Sequence, residues 1–249
     1  MSVDRAAKHI VRESLRRLGF TVERYSPATV PDARIAALLA YHKVDLVLDV
    51  GANAGQYARA LRRSGYRGRI LSFEPLRDAW ARCAAHASRD PLWTVAPRMA
   101  LGSEEGEVEI HVAANSASSS ILPMRESHRA AAPDSAYIGR EIVDLRRLDR
   151  VVGDALDRAS HPFLKMDTQG YEREILAGAA GIMAKLRGIQ MEISLAPLYE
   201  GSPSFHELLD MMKAGGFVPW AILPGFTDQT SGRMLQVDGL FFLESPPAR

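Results

Sequence analysis

The stretch Val44-Asp45-Leu46-Val47-Leu48-Asp49-Val50-Gly51-Ala52-Asn53-Ala54-Gly55 constrains the fold most, because a short apolar run ends on an acid and then breaks into a glycine turn before a helix-forming segment. That is how a strand hands a nucleotide-like ligand to a helix N-terminus. Gly51 and Gly55 let the backbone approach the ligand without a Cβ, and the first amides of the helix face the same crevice. A carboxylate at the strand tip, Asp49, repels phosphate and suits an ammonium or sulfonium. The spacing G-x-N-x-G also departs from the dinucleotide fingerprint G-x-G-x-x-G, which would need glycine at Asn53 and Gln56. The expected cofactor is therefore a cationic nucleoside, S-adenosylmethionine (SAM), rather than NAD.

From here the pattern alternates. Strands are predicted at 46–50, 69–73 and 93–96, with helices at 54–64 and 76–87 between them, which implies right-handed crossovers and a parallel α/β sheet. The alternation stops after Ala100-Leu101-Gly102. An extra strand at 107–112, a serine-rich run at 115–122 and a loop at 125–139 make a lid-like insertion over about 103–140. Order returns with a strand at 141–145, a short helix opened by Arg147-Leu148-Asp149, a strand at 161–167, a helix at 171–178, a strand at 188–193 and a helix at 203–214. The last two strands, 217–222 and 237–243, have no helix between them and must pair antiparallel or lie apart. Ahead of this domain, 44–249, residues 1–43 form a helical extension or cap, with Asp32 capping a helix over 33–42.

A length of 249 residues suits one α/β domain plus that extension, and 47% hydrophobic with 24% charged residues leaves no reason to expect disorder. Net charge is +1 without a long basic block, so no nucleic-acid partner is expected. The lone cysteine, Cys83, excludes an internal disulfide and a cysteine-rich metal site, and reads as a small buried hydrophobe. With neither a secretory leader nor a membrane span in view, the expected location is the cytoplasm. Residues 3–17 read as an amphipathic basic helix: Ile10, Val11, Leu15 and Leu18 lie on one side, with Lys8, Arg12, Arg16 and Arg17 largely elsewhere. Either it packs on the domain with a solvated basic face, or it serves as a lid, a dimer arm or a peripheral contact with an anionic membrane. An oligomer is left open.

Glu74 ends the second strand, roughly 20 residues after the glycine turn, where an acid reaches the hydroxyls of a ribose. Such a residue serves NAD and SAM alike. A second apolar strand ends on an acid at Lys165-Met166-Asp167, followed by Thr168-Gln169-Gly170-Tyr171-Glu172. Here the chain resembles the FkbM-type SAM-dependent methyltransferases, whose motif has the form K-[apolar]-D-x-[EQ]-G-x-E. The resemblance runs from about Asp45 to Leu243 and takes in 49–55, Phe73-Glu74-Pro75, Ala100-Leu101-Gly102, Ser118-Ser119-Ser120, Arg147-Leu148-Asp149, 165–172 and Met191-Glu192. It implies a Rossmann-like class I methyltransferase fold, a seven-stranded mostly parallel sheet with an antiparallel C-terminal strand, flanked by helices. Gln169 stands where many relatives carry glutamate.

Methyl transfer from a sulfonium is an in-line displacement, yet an aliphatic hydroxyl is a poor nucleophile until a positioned base takes its proton. The candidates for that base are the strand-tip acids Asp167, taken first, and Glu192, together with a histidine from the lid or the late helix; Glu192, which ends another buried strand, otherwise binds the acceptor or pairs with Lys165. Glu172 reads as a helix-terminus acid, and His128, His161 and His206 sit in no ligand spacing. A divalent metal between Asp167 and Glu192 is conceivable but no dedicated motif supports one. Gly51, Asn53 and Gly55 would hold the methionine moiety, Asp49 its ammonium through direct or water-mediated contacts, Glu74 the ribose, Met99 and Ala100 the adenine, with Ser118 in a run bordering the cofactor or acceptor. Tyr199 and Trp220 could wall the acceptor. The expected activity is O-methylation of a hydroxyl on a sugar, glycolipid, polysaccharide or other natural product; an NAD(P)-dependent oxidoreductase and a non-catalytic SAM-binding scaffold are the alternatives.

Overall fold

The structure, a computed structural model, describes residues 3–244, with side chains from His9 onward. Among the described residues ten strands follow in order as β1 (Leu46–Val50), β2 (Arg69–Phe73), β3 (Trp93–Val95), β4 (Ala100–Leu101), β5 (Gly106–Ala113), β6 (Tyr137–Arg146), β7 (Pro162–Met166), β8 (Gly188–Ser194), β9 (Phe217–Pro224) and β10 (Gln236–Leu243). Seven of them form one sheet in the order β3-β2-β1-β7-β8-β10-β9, parallel from β3 to β8. β10 inserts antiparallel between β8 and β9. The two helix-free C-terminal segments thus pair antiparallel as expected.

Every residue of β1 and β7 is buried, which continuous apolar runs achieve only in a sheet covered on both faces. One face packs Leu46, Leu48, Leu164, Met191 and Ile193 against Leu208 and Met212. The other packs Val47, Phe163, Leu240 and Phe242 against Ala58 and Leu61. The chain passes from β1 to β2 on one side and returns as β7 on the other, so a crevice opens at the carboxyl ends of these strands. The helices are α1 (Val3–Arg17), α2 (Pro31–Tyr41), α3 (Gln56–Arg63), α4 (Arg77–Ala87), α5 (Glu126–Ala131), α6 (Leu148–Val151), α7 (Gly153–Leu156), α8 (Glu172–Gly178) and α9 (Phe205–Ala214).

Three expectations need correction. α2 starts at Pro31 with Val30 as its N-cap, so Asp32 sits inside the first turn rather than capping it; proline suits that first position because its missing N–H would have no partner there. The interval expected as a loop at 125–139 contains α5, a 3₁₀ turn at Pro133–Ser135 and the start of β6, which pairs antiparallel with β5 from Tyr137 onward. With β4 these strands make a second sheet whose Ile110, Val143 and Leu145 pack on Leu76, Ala79 and Ala100 beside the crevice. Finally, Ile10 and Val11 of α1 and the following Leu18 are exposed, against the reading of a helix packed on the domain, and the Lys8 side chain lies outside the described residues. Among the described residues no helix is long and apolar enough to cross a membrane.

Candidate active site

A cavity of about 470 Å³ opens at the carboxyl ends of β1, β2 and β7, and Gly51, Asn53, Glu74, Met99, Ala100 and Asp167 all lie on its wall. The β1–α3 turn is bent by three left-handed residues, Gly51 (φ 74°), Asn53 (φ 46°) and Gly55 (φ 79°). At Gly51 a Cβ would fall 1.9 Å from the carbonyl oxygen of Asp167, so only glycine lets β1 and β7 end this close together. Gly55, expected to hold the methionine moiety, is off the cavity wall, and a Cβ there would meet the Trp93 ring at 2.6 Å, so close packing also requires glycine at this position. Glu74 joins the turn to β2: Oε2 accepts from the Asn53 amide at 2.7 Å and Oε1 from the Leu76 amide at 2.9 Å. Burial pushes its carboxyl up to about 7, against the pull of those two amides.

Asp49, expected to meet an ammonium of the ligand, is fully buried and does not line the cavity. The sheet register sets it between Ser72 and Lys165. Ser72 Oγ donates to Oδ2 at 3.1 Å, and the Lys165 ammonium, 3.1 Å from Oδ1, balances the charge. Lys165 Nζ also donates to the Gly51 carbonyl at 3.2 Å and lies 5.2 Å from the centre of the Tyr57 ring. Burial works against the ammonium, but Asp49 and Asp167 more than offset it and hold the group at about 12. Farther along the same face, Tyr57 donates to Gln190 Oε1 at 2.8 Å and Gln190 Nε2 to Asp238 Oδ1 at 3.3 Å. Lys165, Tyr57, Gln190 and Asp238 all reach the cavity wall, and only Lys165 carried a signal in the sequence, two residues before Asp167.

The Asp167 side chain is 45% exposed, at the mouth of the crevice. Gln169 Nε2 donates both to Asp167 Oδ1 at 2.9 Å and to Glu192 Oε2 at 2.7 Å. Glu192 is not on the cavity wall, and it pairs with Gln169 rather than with Lys165, which is committed to Asp49. Burial, with Asp167, Glu172 and Asp238 nearby, raises the Glu192 carboxyl well above the usual range. Among the described residues no group of three or more His, Cys, Asp or Glu side chains is placed to hold a metal ion.

Ser118 is buried off the cavity wall, and its neighbours Ser116, Ala117, Ser119 and Ser120 line it instead. Tyr199, expected as an acceptor wall, is 1% exposed; its hydroxyl donates to Gln169 Oε1 at 2.8 Å, with the Ser118 carbonyl 3.2 Å away. Trp220 lies on the outer surface against Tyr41 and His42, away from the cavity. Glu172 has the expected terminus role: its Oε1 takes the Thr168 and Gly170 amides and the Thr168 hydroxyl. His128 is buried against Tyr199 and Phe226, and neither it nor His161 nor His206 lines the cavity.

2-O-methyltransferase NoeI of Sinorhizobium fredii is 26% identical over 212 residues, covering 81% of this chain and 84% of that protein. Among solved structures, magnesium protoporphyrin IX methyltransferase from Synechocystis, with bound SAM, has a TM-score of 0.44 at 11% identity over 95% of this chain and 97% of its own. The CcbJ methyltransferase of Streptomyces caelestis has a TM-score of 0.44 at 12% identity over 90% of this chain and 100% of its own. Likeness of that degree bears on neither donor nor acceptor. The family described as the methyltransferase FkbM domain matches residues 49–219, more than half of the sequence, and that match does not support an NAD(P)-dependent oxidoreductase. The chain belongs to the FkbM family of SAM-dependent methyltransferases.

Proposed function

We propose that this methyltransferase transfers its methyl group to a hydroxyl, as an O-methyltransferase acting on a sugar, glycolipid, polysaccharide or other natural product. The observation that carries the reading is Asp167, a half-exposed carboxylate on the wall of the cavity, held on one oxygen by Gln169 with its other oxygen left without a hydrogen bond. The name of the relative NoeI, a 2-O-methyltransferase, supports the same chemistry.

The wall suits an adenosyl donor. Glu74 keeps lone pairs on both oxygens for a ribose diol, while Leu76, Met99, Leu101 and Ile110 offer apolar surface for a base. The carboxylates of Glu74 and Asp167 oppose a pyrophosphate. Backbone groups of Gly51 and Asn53 would hold the amino-acid end, near Lys165. When bound, SAM would supply an electrophilic methyl group with a neutral thioether as its leaving group. Asp167 accepts the hydroxyl proton, which makes the oxygen a competent nucleophile.

Methyl-labelled SAM and a panel of glycan, glycolipid and polyketide alcohols, with amines as controls, tests the reading. Label in a methyl ether is the expected product. Label on nitrogen or carbon contradicts it, and no transfer to any acceptor despite normal cofactor binding favours a scaffold.

A further inference from the structure

We propose that the Gln169 amide is a positioning residue, seated between Asp167 and Glu192 in the place a bridging divalent cation would take, and that it orients Asp167 as the base. The inference rests on the O-methyl transfer reading for its purpose, but its geometry stands alone. Both hydrogens of Nε2 are spent, one on Asp167 Oδ1 and one on Glu192 Oε2. The amide cannot turn over without loss: its oxygen would then face two acceptor-only carboxylates, and the Tyr199 hydroxyl, which now donates to Oε1, would face an NH₂ group.

The backbone shows that this arrangement is built. Gln169 is left-handed (φ 55°), a conformation that a non-glycine residue adopts only where its surroundings impose it. Ser120 Oγ, from the serine run of the insertion, donates to the Gln169 carbonyl at 2.8 Å. The following Gly170 has φ 97° and no room for a Cβ, which would sit 2.9 Å from the Ser202 Cβ. Three segments converge on the amide, the β7 end, β8 and the Tyr199 loop, and the insertion holds the backbone carbonyl of the same residue. The outcome is an Asp167 with Oδ1 pinned by the amide and Oδ2 without a hydrogen bond, 3.8 Å from the Lys165 ammonium, as the oxygen that would take the proton. An amide also supplies two donors without a positive charge, so it bridges the two carboxylates as a neutral group.

The test uses the full chain with and without S-adenosylhomocysteine (SAH), so that a protein that binds no SAH defeats the O-methyl transfer reading while the amide is still judged on the ligand-free sample. Mn²⁺ is titrated by electron paramagnetic resonance into wild type, Gln169→Glu and Gln169→Glu with Asp167→Asn. The expected result is Mn²⁺ binding about tenfold or more tighter in Gln169→Glu than in wild type, lost again in the double variant. Wild-type Mn²⁺ binding of equal strength that depends on Asp167, or no gain in a folded Gln169→Glu protein, overturns the proposal. Should Gln169→Glu not fold, Gln169→Leu decides: with an acceptor that the wild type methylates, kcat should fall about tenfold or more while SAH affinity stays within a few-fold of wild type, because the base is no longer held in place. An unchanged kcat overturns the proposal.

Discussion

Asn53 and Ser116 meet across the rim of the cavity, Asn53 Nδ2 donating to Ser116 Oγ at 3.2 Å, and both are left-handed, with φ of 46° and 45°. Two non-glycine residues in that conformation, one on the β1–α3 turn and one in the insertion, indicate a contact that the two loops are shaped to make. Ser116→Ala should weaken SAH binding several-fold, the worth of one neutral hydrogen bond of about 1 kcal/mol, without lowering the melting temperature appreciably. Calorimetry checks it, and unchanged affinity would show that the contact is incidental.

Lys165 answers a different need. Replacing it with methionine leaves the Asp49 carboxylate buried without its ammonium, so Lys165→Met should destabilise the fold by about 3–5 kcal/mol, measured by denaturant unfolding. Adding Asp49→Asn should restore part of that loss. A double variant no more stable than the single one would mean that the ammonium serves something other than Asp49.

Glu74 gives cofactor binding a pH dependence. Burial raises its carboxyl from 4.5 to about 7 in the folded protein, so its contribution to stability is full at acid pH and is lost as pH rises through that value. Ribose hydroxyls donate to the ionised form, so SAH affinity should move the opposite way, rising with pH through about 7 and then levelling. Titration calorimetry from roughly pH 5 to pH 9 checks this, and Glu74→Gln should bind weakly with a flat profile. Affinity that falls as Glu74 ionises would exclude it from the ribose site.

Asp167→Asn should cut methyl transfer by about 10²–10⁴-fold, the usual contribution of a positioned base, while leaving SAH binding within a few-fold of wild type. Equal losses in binding and turnover would assign Asp167 to the cofactor rather than to the proton.

The central strands were legible because continuous apolar runs bounded by turn residues have one outcome at this length: β1 and β2 coincide with the segments read from the sequence, 46–50 and 69–73. The wall residues Gly51, Asn53, Glu74 and Asp167 were legible for a related reason, since strand tips and the turns after them in an open α/β sheet face one crevice; Met99 and Ala100 also line it, but from the start of β4 in the second sheet and not from the tip of β3. What could not be read depends on register and on side-chain direction. Whether an acid at a strand end points into the crevice or along the sheet is decided by its neighbours, and pairing Asp49 with Lys165 turns it inward. Gly55 reads as a ligand glycine until Trp93, distant in sequence, fills the space beside it. In the serine run the cavity takes Ser116, Ser119 and Ser120 and excludes Ser118, an alternation set by a turn that composition does not reveal. α5 and the first half of β6 lie in Ala/Pro/Ser/His-rich sequence with weak periodicity, and they are ordered by tertiary contacts such as His128 on Tyr199.

The most direct test of the account is titration calorimetry of the purified chain with SAH and, separately, with NADH. The account predicts one SAH site per chain and no heat from NADH; uptake of NADH with none of SAH would contradict it.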